Sequence, residues 1–204
     1  MKGLLLKDYY TLLKQLRYYL IFIVIFALIP SMNFSNIAMV YAAMLPITVI
    51  AYDERSKWDQ LAIMMPYSKR ELVFSKYLIG YIGVVLCMAL SFGLQAIISA
   101  FGGAPLAQEA VLSIIITAFV ALLLMAINLP FMFWLGVERG RIIFLILIAV
   151  TVFLSMMSLQ TTPKLLQLNT ITPTALIAIS AVAALVANVA SVQISNRLYQ
   201  KKMS

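Results

Sequence analysis

Long stretches without charge constrain this chain more than any other feature. Tyr77–Gln108 has no charged side chain, and Ile37–Ala51 has fifteen uncharged residues in a row. About 18 consecutive apolar residues are enough to mark a candidate membrane span. Only 11% of the 204 residues are charged, whereas a soluble domain has about 25%. The sequence therefore predicts an all-α integral membrane protein, with residues 1–204 forming a single transmembrane domain.

The hydrophobic pattern predicts six membrane spans. They cover about residues 18–32, 37–52, 77–101, 110–135, 142–159 and 174–194. Pro46 falls within the second span, where we expect it to kink the helix or end its regular hydrogen bonding. With six spans, the two termini lie on the same side of the membrane.

Residues 1–17 predict an amphipathic helix in the lipid headgroup region. The apolar side chains at helical spacing are Leu5, Tyr9, Leu12, Leu13 and Leu16, and the basic ones off that stripe are Lys7, Lys14 and Arg17. Alternatively, this segment simply extends the first span.

The basic residues predict which way the chain crosses the membrane. With six spans, fourteen of the fifteen lysines and arginines fall on the side of the termini, and only Lys164 falls on the other. Basic segments stay in the cytoplasm, so both termini are predicted to be cytoplasmic. Because these charges lie between spans rather than on one folded face, the net charge of +8 does not indicate nucleic-acid binding.

The loop 53–76 carries much of the charge of the chain. Nine of the 22 charged residues lie in it: Asp53, Glu54, Arg55, Lys57, Asp59, Lys69, Arg70, Glu71 and Lys76. Ser56 with Asp59, and Ser68 with Glu71, match the capping box that begins a helix. Pro66 is expected to end the first of these helices. The sequence thus predicts a cytoplasmic, partly helical loop.

The first loop helix is predicted to be a docking element. Helical spacing puts Trp58, Leu61, Ala62 and Met65 on one side. Exposed Trp and Met side chains are typical anchors for a groove on a partner protein. The alternative is a surface helix packed on the cytoplasmic end of its own bundle.

Several kinds of chemistry are absent from the sequence. No acidic or basic residue falls inside a predicted span, which disfavours proton- or ion-coupled transport. The amides Gln95, Asn128 and Asn188 are expected to join helices by hydrogen bonds. The chain has no histidine, the commonest metal ligand, and no Gly-rich Walker loop for ATP. We therefore predict no catalytic residues and no metal site.

Three segments carry a resemblance to a known family. They are MKGLLLKDYY at the N-terminus, DERSKWDQLAIMMPYSKRELVFSKYL in the loop, and Pro130 to Gly136 followed by Glu138-Arg139-Gly140-Arg141. Together they resemble small bacterial ABC-2 type transporter permeases, most closely the subgroup of the phenol-soluble modulin exporter permeases. The resemblance implies one half of a type V exporter in the bacterial cytoplasmic membrane, with an interfacial helix and a coupling helix.

The resemblance also implies partners and contacts. Two permease subunits, identical or related, would pair with two cytoplasmic ATPase subunits that bind ATP and Mg²⁺, and the cargo would be an amphipathic peptide. The residues on the coupling pattern are Glu54, Trp58, Leu61, Met65, Pro66, Ser68 and Lys76, with Glu138 and Arg139 as a second contact. An apolar pathway would be lined by Phe92, Met125, Phe131 and Met132, unless these are ordinary packing residues.

Two other functions stay open at this stage. One is a membrane protein that binds a peptide or confers immunity to it without transport. The other is a membrane enzyme acting on lipid, which would need polar side chains that converge at the interface.

Overall fold

The structure, a computed structural model, describes residues 3–13, 34–65, 67–102, 108–165 and 173–202. The described part is helical, with short turns and no strand. Its helices are α1 (residues 3–13), α2 (Phe34–Arg55), α3 (Trp58–Ile63), α4 (Lys69–Gly102), α5 (Gln108–Leu135), α6 (Val137–Leu165) and α7 (Pro173–Lys202). The predicted span 18–32 lies outside the described residues.

The helices extend beyond several of the predicted spans. α4 begins at Lys69, eight residues before the predicted start, because the second capping box begins the same helix that crosses the bundle. Between the predicted spans 110–135 and 142–159, only Gly136 lies outside a helix, and α6 begins at Val137. α2 continues across Pro46 to Arg55, so the helix does not end at that proline, and the predicted kink stays a prediction. Gly80 on α4 makes room for the ring of Pro46.

α5 lies at the centre of the bundle and contacts α2, α4, α6 and α7. The side chains on its buried face follow helical spacing: Ile114, Ala118, Ala121, Met125, Leu129 and Met132. Such a face, buried from Ile114 to Met132, is expected for an element that neighbours surround. Two glycines allow close packing against it, because a Cβ at Gly80 would overlap the sulfur of Met125, and one at Gly140 would overlap that of Met132.

The outer faces of the helices are apolar. Leu185 and Val189 on α7 are 68% and 59% exposed, and α4 and α6 expose similar residues. Three helical segments are long and apolar enough to cross a membrane by length and composition: Lys69–Ile97, Val111–Leu135 and Ile177–Lys201. A bilayer covers such surfaces, whereas a soluble fold buries them. The count of six spans stays a prediction.

A neutral cluster of hydrogen-bonded side chains joins α4, α5 and α7. The Tyr77 hydroxyl lies 2.6 Å from the Ser191 hydroxyl and 2.8 Å from that of Ser195, and Ser191 donates to the carbonyl of Ala126. Tyr81 donates to Asn188 Oδ1 over 3.1 Å. We call Tyr77, Tyr81, Asn188, Ser191 and Ser195 the neutral cluster.

The role predicted for the three amides is confirmed for one of them and wrong for another, and for Gln95 it stays a prediction. Asn188 also donates to the carbonyl of Leu122 on α5, which confirms that it joins helices. Asn128 is buried, but neither of its polar side-chain atoms has a hydrogen-bond partner among the described residues. For Asn128 the prediction is wrong.

The N-terminal helix packs differently from the predicted stripe. Leu4, Asp8 and Leu12, at four-residue spacing, are buried against the bundle. The exposed face carries only apolar or aromatic side chains, namely Leu6, Tyr9, Tyr10 and Leu13. The sequence pattern predicted that Tyr9 and Leu13 share one apolar face with Leu12. In the structure Tyr9 and Leu13 are exposed, and the acid Asp8 is buried with Leu12 instead. The reason is a buried ion pair that pattern alone does not show.

Candidate functional site

The connection from α2 to α4 contains the short helix predicted for the loop. Its start differs from the prediction: Lys57 precedes α3 in a left-handed conformation (φ 53°), with no side-chain cap. The Ser56 hydroxyl donates to the carbonyl of Asp53 over 3.2 Å instead. The predicted capping box at Ser56 is therefore wrong, because that side chain closes the end of α2.

The second capping box forms as predicted. The Ser68 hydroxyl accepts from the Glu71 backbone N–H over 3.2 Å, and the Glu71 carboxylate accepts from the Ser68 backbone N–H over 3.0 Å. This reciprocal pair satisfies two backbone donors at the start of α4. It also fixes where the short connection after α3 rejoins the bundle.

The apolar side chains of α3 divide between two faces. Ala62 is fully buried, and Trp58 is half-buried against the main core. Leu61, Met64 and Met65 are 50%, 84% and 40% exposed. The four residues predicted to share one face, Trp58, Leu61, Ala62 and Met65, thus lie on two faces. Trp58 and Ala62 pack against the bundle, whereas Leu61, Met64 and Met65 face outwards. Pro66 lies outside the described residues.

Four charged side chains form a buried group beneath α3, which we call the ion-pair cluster: Lys7, Asp8, Asp53 and Lys76. The Lys76 ammonium lies 2.9 Å from both carboxylate oxygens of Asp8 and 2.5 Å from Asp53. Lys7 pairs with Asp53 and lies 3.0 Å from Asp8. Asp8 is fully buried, and Asp53 and Lys76 are nearly so. Two cations meet two anions, so the cluster is neutral.

The ion-pair cluster fastens α1, the end of α2 and the start of α4 to one another. It also reaches α3, because the Lys7 ammonium lies 4.4 Å from the centre of the Trp58 ring, a cation–π contact. Removing one member of a buried, paired set leaves an uncompensated charge, which costs far more than an exposed charge does. The position of α3 therefore depends on charges distant in sequence.

This arrangement corrects the role predicted for two lysines. Lys76 was placed on the partner-contact pattern, but it is 5% exposed and fully engaged with Asp8 and Asp53. Lys7 was expected on the headgroup side of α1, yet its ammonium points into the cluster. Both lysines position other elements.

Glu54 connects the two turns at this end of the bundle. Its Oε2 accepts from the backbone N–H of Val137 over 2.9 Å, at the start of α6. A carboxylate at a helix N-terminus satisfies a free donor and complements the helix dipole. Gly136, with φ 82°, makes the tight turn before it. Glu54 is thus a structural link as well as an exposed side chain.

An open groove of about 750 Å³ lies beside this link. It runs between the end of α2 and the α5–α6 turn, and its charged lining consists of Glu54, Arg55, Glu138, Arg139 and Arg141. The predicted second contact, Glu138 with Arg139, is exposed here. The structure therefore brings both predicted contact regions to the same end of the bundle.

The predicted pathway residues do not share a common surface. Met125 and Met132 are 1% exposed, each packed over a glycine of a neighbouring helix. Phe92 packs against the main core. Phe131 lines a separate apolar groove between α5 and α7, together with Trp134 and Ile194. Burial rules out Met125 and Met132 as lining residues in this conformation.

Sequence reasoning missed the ion-pair cluster, although a signal was present. Asp8 is the only acid in the basic N-terminal segment, and Asp53 begins the charged loop after a long uncharged stretch. An isolated acid at the edge of an apolar segment needs a cationic partner once it is buried. Which lysine supplies it depends on the packing of α1 against α4.

The fold and this site define a class: an all-helical membrane protein whose buried charges hold a short exposed helix at one end of the bundle. The sequence profile described as "ABC-2 family transporter protein" matches residues 3–200. The chain belongs to this family, whose members are membrane components of transporters. No curated protein and no solved structure matches the chain.

Proposed function

We propose that the chain is the permease subunit of an ATP-binding-cassette exporter, and that α3 transmits the movement of a separate ATPase subunit to the bundle. The single observation that carries this proposal is the exposed apolar end of α3. Leu61, Met64 and Met65 face outwards while the ion-pair cluster and Trp58 hold the base of the helix. A rigidly held helix with exposed apolar anchors suits a partner's groove.

The geometry also supports a path for the movement. A force on α3 acts directly on Trp58 and Lys7, and through the ion-pair cluster on α1, α2 and α4. The Glu54 link carries it to α6. Glu138 and Arg139, exposed on the neighbouring groove, offer the second contact. The ATPase subunit would bind ATP and Mg²⁺ and supply all of the hydrolysis chemistry.

The finer parts of the proposal rest on the resemblance. They are six spans with both termini in the cytoplasm of a bacterial cell, a second permease subunit, membership of the modulin exporter subgroup, and an amphipathic peptide as cargo. The apolar groove of α5 and α7, with Phe131, Trp134 and Ile194, supports lateral entry of such a cargo from the bilayer. Its near absence of polar groups suits an apolar peptide face.

The test is association with an ATPase. The chain is purified in mild detergent from its own host, and proteins with a Walker motif are quantified by mass spectrometry. We expect a stoichiometric ATPase with the unaltered chain. It should be lost when the exposed end of α3 is truncated by Leu61→Ala, Met64→Ala and Met65→Ala together.

A matched triple variant controls for the loss of apolar surface. Leu145, Ile146 and Phe153 on α6 are 56–63% exposed, and changing them to Ala should leave the ATPase bound. Retention of the ATPase by the α3 variant would exclude α3 as the coupling element. Recovery of the unaltered chain without any ATPase would favour a peptide-binding or immunity protein that does not transport.

A further inference from the structure

A second polar groove, of about 400 Å³, lies between the start of α4 and the end of α7. Five side chains line it: Arg70, Gln193, Asn196, Arg197 and Gln200. None of them is acidic, and none belongs to α3 or to the α5–α6 turn. The groove therefore needs an explanation of its own.

The two arginines line this groove without a compensating acid in its lining. In the described part of the chain, neither Arg70 nor Arg197 forms an ion pair. The carboxylate next in sequence, Glu71, is held by Ser68 in the capping box. Two guanidinium groups that line one groove make it attractive to an anion. Their planar donor geometry matches a phosphate.

Asn196 adds a requirement that a simple anion does not meet. Its Oδ1 atom is buried and has no hydrogen-bond partner in the part of the chain that the structure describes. A buried acceptor of this kind is normally satisfied, because leaving it unpaired costs its hydration. A phosphodiester group has no proton to donate. Because this atom is covered, a ligand could reach it only after the Asn196 side chain turns towards the groove; a ligand that does so should carry a hydroxyl group close to its phosphate.

The surfaces next to the groove indicate what the rest of the ligand is. On α7, Leu185 and Val189 precede Gln193 at four-residue spacing and are 68% and 59% exposed. On α4, Phe74 follows Arg70 by four residues and is 42% exposed. Both helices are long and apolar enough to cross a membrane. A groove lined by basic side chains and flanked by exposed apolar helix faces suits a lipid with an anionic headgroup and acyl chains.

We propose that this groove binds an anionic glycerophospholipid of the phosphatidylglycerol type. The phosphate lies between Arg70 and Arg197, and the acyl chains follow Phe74, Leu185 and Val189. A headgroup hydroxyl donates to Asn196 Oδ1 once that side chain has turned towards the groove. A bound lipid would connect the start of α4 with the end of α7. This site is independent of the proposed ATPase contact, because it shares no residue with α3 or the α5–α6 turn.

The test counts lipids retained by the full purified chain in native mass spectrometry. The probes are phosphatidylglycerol and phosphatidylcholine with the same acyl chains. We expect phosphatidylglycerol to bind in preference. Arg70→Gln with Arg197→Gln should weaken it by about fivefold for each arginine, the usual contribution of a basic residue near an anionic headgroup.

The matched control removes two arginines from the other groove. Arg55→Gln with Arg141→Gln makes the same charge change and should leave lipid retention unaltered. Equal losses in both double variants would reduce the effect to overall charge and overturn the site. So would normal lipid retention by the Arg70/Arg197 variant, whether or not that variant loses an associated ATPase.

Two further probes test the chemistry of the headgroup. Phosphatidylmethanol has the same charge as phosphatidylglycerol but no hydroxyl, so it should bind more weakly, and Asn196→Leu should abolish this difference. Equal binding of the two lipids by the unaltered chain would overturn the assignment to Asn196. Soluble glycerol phosphate should not displace the lipid, and displacement at equal concentration would identify a free-anion site instead.

Discussion

Two polar clusters join the helices of this protein, and they differ in charge although they are neighbours in sequence. Lys76 belongs to the ion-pair cluster, and Tyr77, the next residue, belongs to the neutral cluster. The first lies where α2 ends and α4 begins. The second lies further along α4, between helices that are long and apolar enough to span a membrane.

This difference follows from the cost of removing charge from water. Deep within a bilayer an ionised side chain is expensive, and neutral hydroxyl and amide groups make the contacts between helices. Near the end of the bundle, charges can be buried if each has a partner, as Asp8 and Lys76 do. Such pairs are costly to break, so they fix positions more firmly than neutral bonds do.

The largest expected effect comes from breaking the ion-pair cluster. Lys76→Met leaves Asp8 and Asp53 facing Lys7 alone, and we expect a loss of about 3–5 kcal/mol in the free energy of unfolding. Unfolding in mixed detergent measures it. Lys57→Met, which removes an exposed lysine of the same loop, should have little effect.

A double variant tests whether this loss is due to charge. Asp8→Asn combined with Lys76→Met removes one charge of each sign, so much of the stability lost in Lys76→Met should return. The stability loss of the double variant is compared with the sum of the losses in Asp8→Asn and Lys76→Met measured separately. If the two are equal, Lys76 contributes by packing, and the comparison with the neutral cluster fails.

Gly80→Ala tests close packing in the neutral part of the bundle. The new Cβ would overlap the Met125 sulfur, and overpacking of this kind costs about 1–3 kcal/mol. Met125→Ala in the same chain should relieve only part of the overlap, because the new Cβ would still lie 2.8 Å from Pro46 Cγ. Gly93→Ala is the matched control, since nothing lies within 4 Å of its Cβ position; it should be neutral or stabilising, as Ala favours helix over Gly.

A smaller effect is expected within the neutral cluster itself. Tyr77→Phe removes the hydroxyl shared with Ser191 and Ser195, while Ser191 keeps its bond to the Ala126 carbonyl. Hydrogen bonds between membrane helices contribute about 0.6 kcal/mol on average, so the loss should be well below that of Lys76→Met. Tyr10→Phe, on an exposed ring, provides the baseline. A loss equal to that of Lys76→Met would contradict the contrast between the clusters.

The smallest effect is local. Glu54→Ala removes the acceptor for the Val137 N–H, and hydrogen exchange of that amide should quicken by roughly two- to fivefold, the range of a single helix-terminus charge. Glu54→Gln keeps an acceptor and should show less change. Unchanged exchange in Glu54→Ala would mean that Glu54 does not fasten α6 to the end of α2.

Features carried by neighbouring residues were predictable from the sequence. The Ser68–Glu71 capping box and the helix at Trp58 depend on residues within one or two turns, and both are present. The box at Ser56 had the same spacing, but Ser56 bonds to Asp53 instead. The Ser56 hydroxyl had two possible local partners, the capping box with Asp59 and the carbonyl of Asp53. Residue spacing alone does not show which of the two hydrogen bonds is the stronger.

The sequence by itself determined an all-helical membrane protein, the short helix before α4, and the family. These conclusions depend on hydrophobic runs and local motifs, whose energies are set by nearby residues. Only the tertiary structure decided that Asp8 and Asp53 share Lys76 and that Met125 and Met132 pack over glycines. Burial turns a surface charge into one that must find a partner, and the identity of that partner depends on how distant helices pack.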